Sequence, residues 1–152
     1  MVLTYPDGQP FAVGANWFTP FLPDQPEILR IVVDVEVEGL PLRAVVDTGA
    51  PYLICHPELA AELGARPDSA VDAARLVIRG RRHSGSLHRL AVTLPAAIGE
   101  SVTVEATVFV PDLHLDEVWD LPNFIGLTGM LERMRFAVDP ESDLFYFGPL
   151  VR

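Results

Sequence analysis

The chain has 152 residues and a formal net charge of −10, and 49% of its residues are apolar. That length fits one domain with a real core, and that apolar content excludes a disordered chain. The acidic balance excludes nucleic acid as the main partner, and no apolar run reaches the roughly 18 residues that would signal a membrane span.

The start, Met1-Val2-Leu3-Thr4, lacks the basic and apolar stretches of a secretory signal. A single cysteine, Cys55, excludes an internal disulfide framework. Both features suit a reducing compartment, and the expected location is the cytoplasm. All eleven basic residues are arginine, and Arg75, Arg79, Arg81, Arg82 and Arg89 crowd into one short stretch. The plainer reading of that stretch is a solvated hairpin tip. The sharper one is a mobile cationic element that meets an acidic ligand or the acidic remainder of the protein.

Residues 1–29 are rich in proline and aromatics and read as an N-terminal arm. Phe11, Trp17, Phe18 and Phe21 are expected to pack on the body, since exposing all four would make a sticky patch. The remaining residues, 30–152, form the expected domain. Ile31, Val33, Val35 and Val37 alternate with more polar neighbours, which predicts a strand. Glu38-Gly39-Leu40-Pro41 reads as its turn and Leu42 to Val46 as the returning strand. "HPELAAELGA" predicts a short helix, with Pro57 in its first turn and Gly64 at its end. "ARLVIRGRRHSGSLHRLAVTLP" predicts a second hairpin, with Gly80 to Ser86 at or near its tip. "SVTVEATVFVPD" reads as a strand, "NFIGLTGMLERM" as an apolar, glycine-marked segment with one helical turn, and "RFAVDPESDLFYFG" as two strands around a turn. Short strands, regular turns and one small helix predict an all-β domain, closed or partly closed.

One stretch raises a chemical question. In "RAVVDTGAPYLIC", Asp47, Thr48 and Gly49 are flanked by apolar runs of the kind that are usually buried. A bare Asp-Thr-Gly is weak evidence, but here it sits at a strand end, before a second apolar run and a helix. With Phe124-Ile125-Gly126 further on, this resembles the retropepsin-like aspartic proteases, in the bacterial single-domain form. The family signature is an apolar run, Asp-Thr/Ser-Gly-Ala/Ser/Thr, and later two apolar residues and a glycine that pass beside the first motif.

The resemblance implies a single-domain acid-protease barrel that works as a homodimer on peptide or protein substrates without a cofactor. It implies that Asp47 is the catalytic carboxylate, that Thr48 ties the two active-site loops together, and that Gly49 lets backbone approach the carboxylate. Ala50 would be the small residue of the crowded centre. Peptide hydrolysis needs a base to activate water and an acid to protonate the leaving amine, and two close carboxylates sharing one proton supply both. The chain has one Asp-Thr-Gly, so the second carboxylate must come from a second copy. The hairpin around residues 76–90 falls where the family carries its flap, and Gly80 and Gly85 are expected to permit its motion. Arg81, Arg82, His83 and Ser84 are then substrate-binding candidates near a cationic tip without an apolar residue. The alternative is a peptidase-like binding or scaffolding module without general proteolytic activity.

The other candidates have plainer readings. His56, His83, His88 and His114 show no metal-like spacing, so no metal is expected. Cys55 has no base partner in sequence and reads as a small buried hydrophobe. "GLTGM" lacks the lysine and spacing of a phosphate loop. Asp112, Asp116, Glu117 and Asp120 read as a solvated loop, or as the receiver of a neighbouring subunit's arginine hairpin.

Overall fold

The computed structural model describes residues 2–114 and 116–151. In chain order the strands are β1 (Leu3–Thr4), β2 (Pro10–Ala12), β3 (Gly14–Trp17), β4 (Val32–Val37), β5 (Leu40–Val46) and β6 (Leu53–Ile54). The helix α1 (Pro57–Glu62) follows, then β7 (Asp72–Ile78), β8 (Arg81–Leu94), β9 (Ile98–Gly99), β10 (Val102–Pro111), β11 (Asn123–Ile125), β12 (Met134–Asp139) and β13 (Leu144–Pro149). Single 3₁₀ turns occur at Pro67–Ser69 and Leu131–Arg133. The fold is all-β, as the sequence predicts.

The main sheet runs β10-β6-β11-β5-β4-β8-β7, with β8 also pairing β10. Its two hairpins turn in the same way. Glu38 and Gly39 take φ of 48° and 84°, and Arg79 and Gly80 take 49° and 77°. Val37 faces Leu40 across the first turn and Ile78 faces Arg81 across the second. Two central residues with positive φ match the twist of the flanking strands, so each loop needs only two residues. The first turn is therefore shorter than the expected Glu38–Pro41. The second lies at Arg79-Gly80, and Arg81 to Ser86 belong to the long strand β8.

A second sheet runs β12-β13-β3-β9 and takes in the N-terminal segment. Ala15 lies opposite Tyr146 and Gly14 opposite Phe147. Phe18 is buried and Phe11 half-buried, whereas Trp17 and Phe21 are 56% and 40% exposed. Packing therefore claims two of the four expected aromatics.

The period-two pattern of β4 sorts its side chains into two cores. Val33, Val35 and Val37 join the larger core with Val92, Val108, Phe145 and Phe147. Val32 joins Val45, Ile54, Leu87, Phe109, Trp119 and Phe124 in a smaller core. The smaller core also takes in Ile78, at the end of β7 beside the turn. The helix is capped by His56, whose Nδ1 accepts the Glu58 N–H at 3.1 Å.

Candidate functional site

β11 passes between the two strands that flank Asp47. It pairs parallel to β5, Phe124 beside Val45 and Ile125 beside Val46. It pairs antiparallel to β6, Phe124 beside Ile54 and Ile125 beside Leu53. The loop from Asp47 to Tyr52 thus wraps around the end of β11, and hydrogen bonds fix it there. Asp47 N–H donates to Ile125 O at 2.9 Å, Gly126 N–H to Tyr52 O at 2.7 Å, and Leu127 N–H to Ala50 O at 2.8 Å. Gly126 is required by this closeness, since a Cβ there would lie 2.4 Å from Ala50 O and 2.5 Å from Tyr52 O. Asn123 adds a clip, accepting the His56 N–H at 2.7 Å and donating to Arg43 O at 2.9 Å.

The flanking runs are buried, but Asp47, Thr48 and Gly49 are exposed at the surface of the single chain. Gly49 N–H donates to Asp47 Oδ1 at 3.0 Å, which orients the carboxylate. Chain geometry resolves the tension between a carboxylate and its apolar neighbours: the strand carries the loop to the surface before the acid appears. A rigid bed beneath and an exposed acid above form a base or acid held in fixed orientation.

Two cavities meet at Asp47. The first, about 510 Å³, is lined by Phe18, Pro20, Leu29, Arg30 and Ile31 of the N-terminal side, by Val45, Val46 and Asp47, and by Val138, Pro140 and Asp143 of the β12–β13 hairpin. The second, about 270 Å³, lies between the Asp47 loop and the β7–β8 turn, with Gly49, Ala50, Val77, Ile78, Arg79 and Phe124 in its walls. The Arg79 guanidinium stands over the Phe124 ring, 5.6 Å from its centre.

The expected site residues therefore separate into groups. Asp47, Gly49, Ala50 and Phe124 line one cavity, and Ile125 and Gly126 brace it from beneath. Thr48 is exposed beside them. Arg81, Arg82 and His83 line a different cavity, on the far side of the hairpin. Ser84 is exposed on β8 opposite Arg75 and lines neither. The hairpin residues nearest Asp47 are Val77, Ile78 and Arg79. The hairpin end is thus not purely cationic, since Val77 is 68% exposed there. The two hairpin glycines also differ from expectation. Gly80 sits at the turn in open space, whereas Gly85 is packed so that a Cβ would lie 2.3 Å from Val110 O and 2.5 Å from the Phe109 ring. Gly85 serves close packing rather than motion.

Arg30 escaped the sequence reading. It lines both cavities that meet at Asp47, and its Nε is buried without a partner among the described residues. Its signal was an arginine placed directly before an apolar strand. Cys55 is fully buried, and burial pushes its thiol up to about 11, which leaves it inert. Among the described residues, no cluster of histidine, cysteine and carboxylates has the makings of a metal site. Among the described residues, no helix is long and apolar enough to cross a membrane.

Comparison with known proteins agrees with this geometry. The model of the family described as aspartyl protease matches residues 33–118. A retropepsin-like aspartic protease from Rickettsia conorii is 21% identical in sequence, over 88% of this chain and 98% of that one, with a TM-score of 0.56. The retroviral protease-like domain of Ddi1 from Leishmania major is also 21% identical, over 79% of this chain and 94% of that one, with a TM-score of 0.50. No curated protein matches the chain. The two structures share the fold, and the family match spans more than half of the 152 residues and includes the Asp47 loop, so the chain belongs to the aspartyl protease family.

Proposed function

We propose that the protein is an aspartic endopeptidase whose active site forms when two copies bring their Asp47 loops together at a two-fold axis. The observation that carries this reading is the exposed, backbone-oriented Asp47 at the junction of two cavities. One carboxylate cannot act as base and acid at once. Two held within hydrogen-bond reach cannot both ionise easily, so the pair keeps one proton. The ionised member takes a proton from water as its oxygen attacks the peptide carbonyl carbon. The protonated member gives its proton to the amide nitrogen as the C–N bond breaks, which leaves a carboxylic acid and an amine. Thr48 would tie the loops across the axis, Gly49 would hold each carboxylate, and Ala50 would keep the floor low. The substrate would lie extended under the β7–β8 hairpin, held by main-chain hydrogen bonds. Residues 30–152 would be the catalytic domain and the first 29 residues an arm that adds to the first cavity's wall. No metal or cofactor enters this chemistry.

The test is cleavage of a peptide library at mildly acidic pH by the wild type and by Asp47→Asn. The substitution keeps size and hydrogen-bonding capacity, so the fold should persist while cleavage drops by at least about 10³-fold. An unchanged rate would sink the assignment. A second reading, a peptide-binding module without general proteolysis, draws on one feature. Phe18, Pro20, Leu29 and Arg30 line the cavity beside Asp47, where a fixed arm narrows the choice of ligand. Peptide binding with no cleavage by the dimer would favour it.

A further inference from the structure

The cavity on the far side of the hairpin takes no part in the chemistry just described. It measures about 620 Å³ and opens between the start of β8 and the segment after β10. Arg79, Arg81 and Arg82 stand on the hairpin wall, and Asp116, Glu117 and Asp120 on the other. His83 and Trp119 meet inside it edge to face, their ring centres 5.1 Å apart. Trp119 is only 6% exposed, and its Nε1 has no hydrogen-bond partner among the described residues. The same holds for His83 Nε2. The two rings thus make a fixed aromatic corner of the cavity, with these nitrogens closed off from its open space.

We propose that this cavity is a substrate subsite that takes one carboxylate-bearing peptide side chain, a glutamate or an aspartate. The proposal rests on the peptidase reading for its setting, because Ile78 and Arg79 line both this cavity and the one at Asp47. On that reading, a peptide running from Asp47 past the hairpin end would meet the second cavity at Ile78 and Arg79. Guanidinium groups can only donate, so the ligand must bring acceptors. A carboxylate supplies them and forms charge-assisted bonds. The acidic wall limits the guest to one such group. Glu117 already faces His114 at 3.6 Å, and Asp116 and Asp120 balance the arginines, so a polyanion such as a nucleic acid is repelled.

The test separates binding from cleavage by using the Asp47→Asn protein. Trp17 and Trp119 are the two tryptophans, so the Trp119 indole N–H is assignable in an NMR spectrum with a Trp17→Phe control. The probes are eight-residue peptides carrying one glutamate at each successive position, and the same set with glutamine. At one position, glutamate should bind about tenfold tighter than glutamine and move the Trp119 indole resonance. Arg81→Gln and Arg82→Gln, both at exposed sites, should each erode that preference. Equal binding of the two sets, no binding at any position, or binding that leaves the Trp119 resonance unmoved would overturn the subsite. Peptide binding with no wild-type cleavage of the bound sequence would overturn the peptidase reading and leave the subsite standing.

Discussion

The buried polar pair on β8 sets a cost that the protein bears in acid. His88 is 4% exposed, and its Nε2 lies 2.8 Å from Ser86 Oγ. Burial holds its pKa below the ordinary 6.5, because the charged ring would lose its water. The sign follows. Above 6.5 both folded and unfolded chains carry a neutral His88 and nothing is lost. As pH falls below 6.5 the unfolded chain takes the proton first, so stability declines until the folded pKa is reached. Unfolding free energies from urea titrations between pH 7.5 and 5.5 should fall for the wild type, by at most about 1.4 kcal/mol per pH unit from this residue. The slope should flatten in His88→Gln, and an equal slope there would assign the loss to other groups. If the proposed cleavage runs best in mild acid, reaction and core stability would then oppose each other. The sequence showed His88 as one of four histidines without metal-like spacing. Its burial depends on β10, which covers it from far along the chain, with Val108 directly opposite.

Elements were legible where local chemistry alone decides them. The alternation in β4, the proline-led helix and the Asp-Thr-Gly loop at a strand end all followed from neighbours in sequence. Phe124-Ile125-Gly126 was placed beside Asp47 only through the family resemblance, since nothing local says where β11 goes. The hairpin turn was misplaced for a physical reason. Arg81 to Ser86 are polar and contain glycine, which resembles a loop, yet pairing with β7 along the whole stretch, and with β10 from Gly85 on, holds them extended. The true turn, Arg79-Gly80, has no asparagine or aspartate to announce it. Gly80 meets nothing within 4 Å, so only its φ of 77° restricts it. Gly80→Val should therefore cost about 1–2 kcal/mol in strain without any clash. It should also lower cleavage more than Gly39→Val at the matching turn, which lines no cavity at Asp47. Chemical denaturation and cleavage rates of the two variants decide this, and equal losses in cleavage would detach the β7–β8 hairpin from function.

At the scale of the whole molecule, charge and catalysis pull against each other. Each chain carries −10, so two copies repel over roughly 8–10 Å at ordinary ionic strength. The proposed active site requires that they meet. The apolar surface near Asp47 offers a means: Leu29 is 85% exposed and Ile28 is 39% exposed, and Leu29 borders the cavity that Asp47 shares. Burying such side chains on association would offset the repulsion. Two dependences should follow. Sedimentation should show the dimer fraction rising with salt between about 0.02 and 0.3 M, as screening removes the repulsion. Activity per chain should rise with protein concentration until the dimer saturates, because on the proposed reading the monomer holds half a site. Leu29→Asp changes an exposed residue, so it should fold normally while shifting the protein to monomer and cutting activity at low concentration. Activity per chain that stayed constant on dilution into the monomer range would mean that one Asp47 suffices, and the shared-proton mechanism would fall with it.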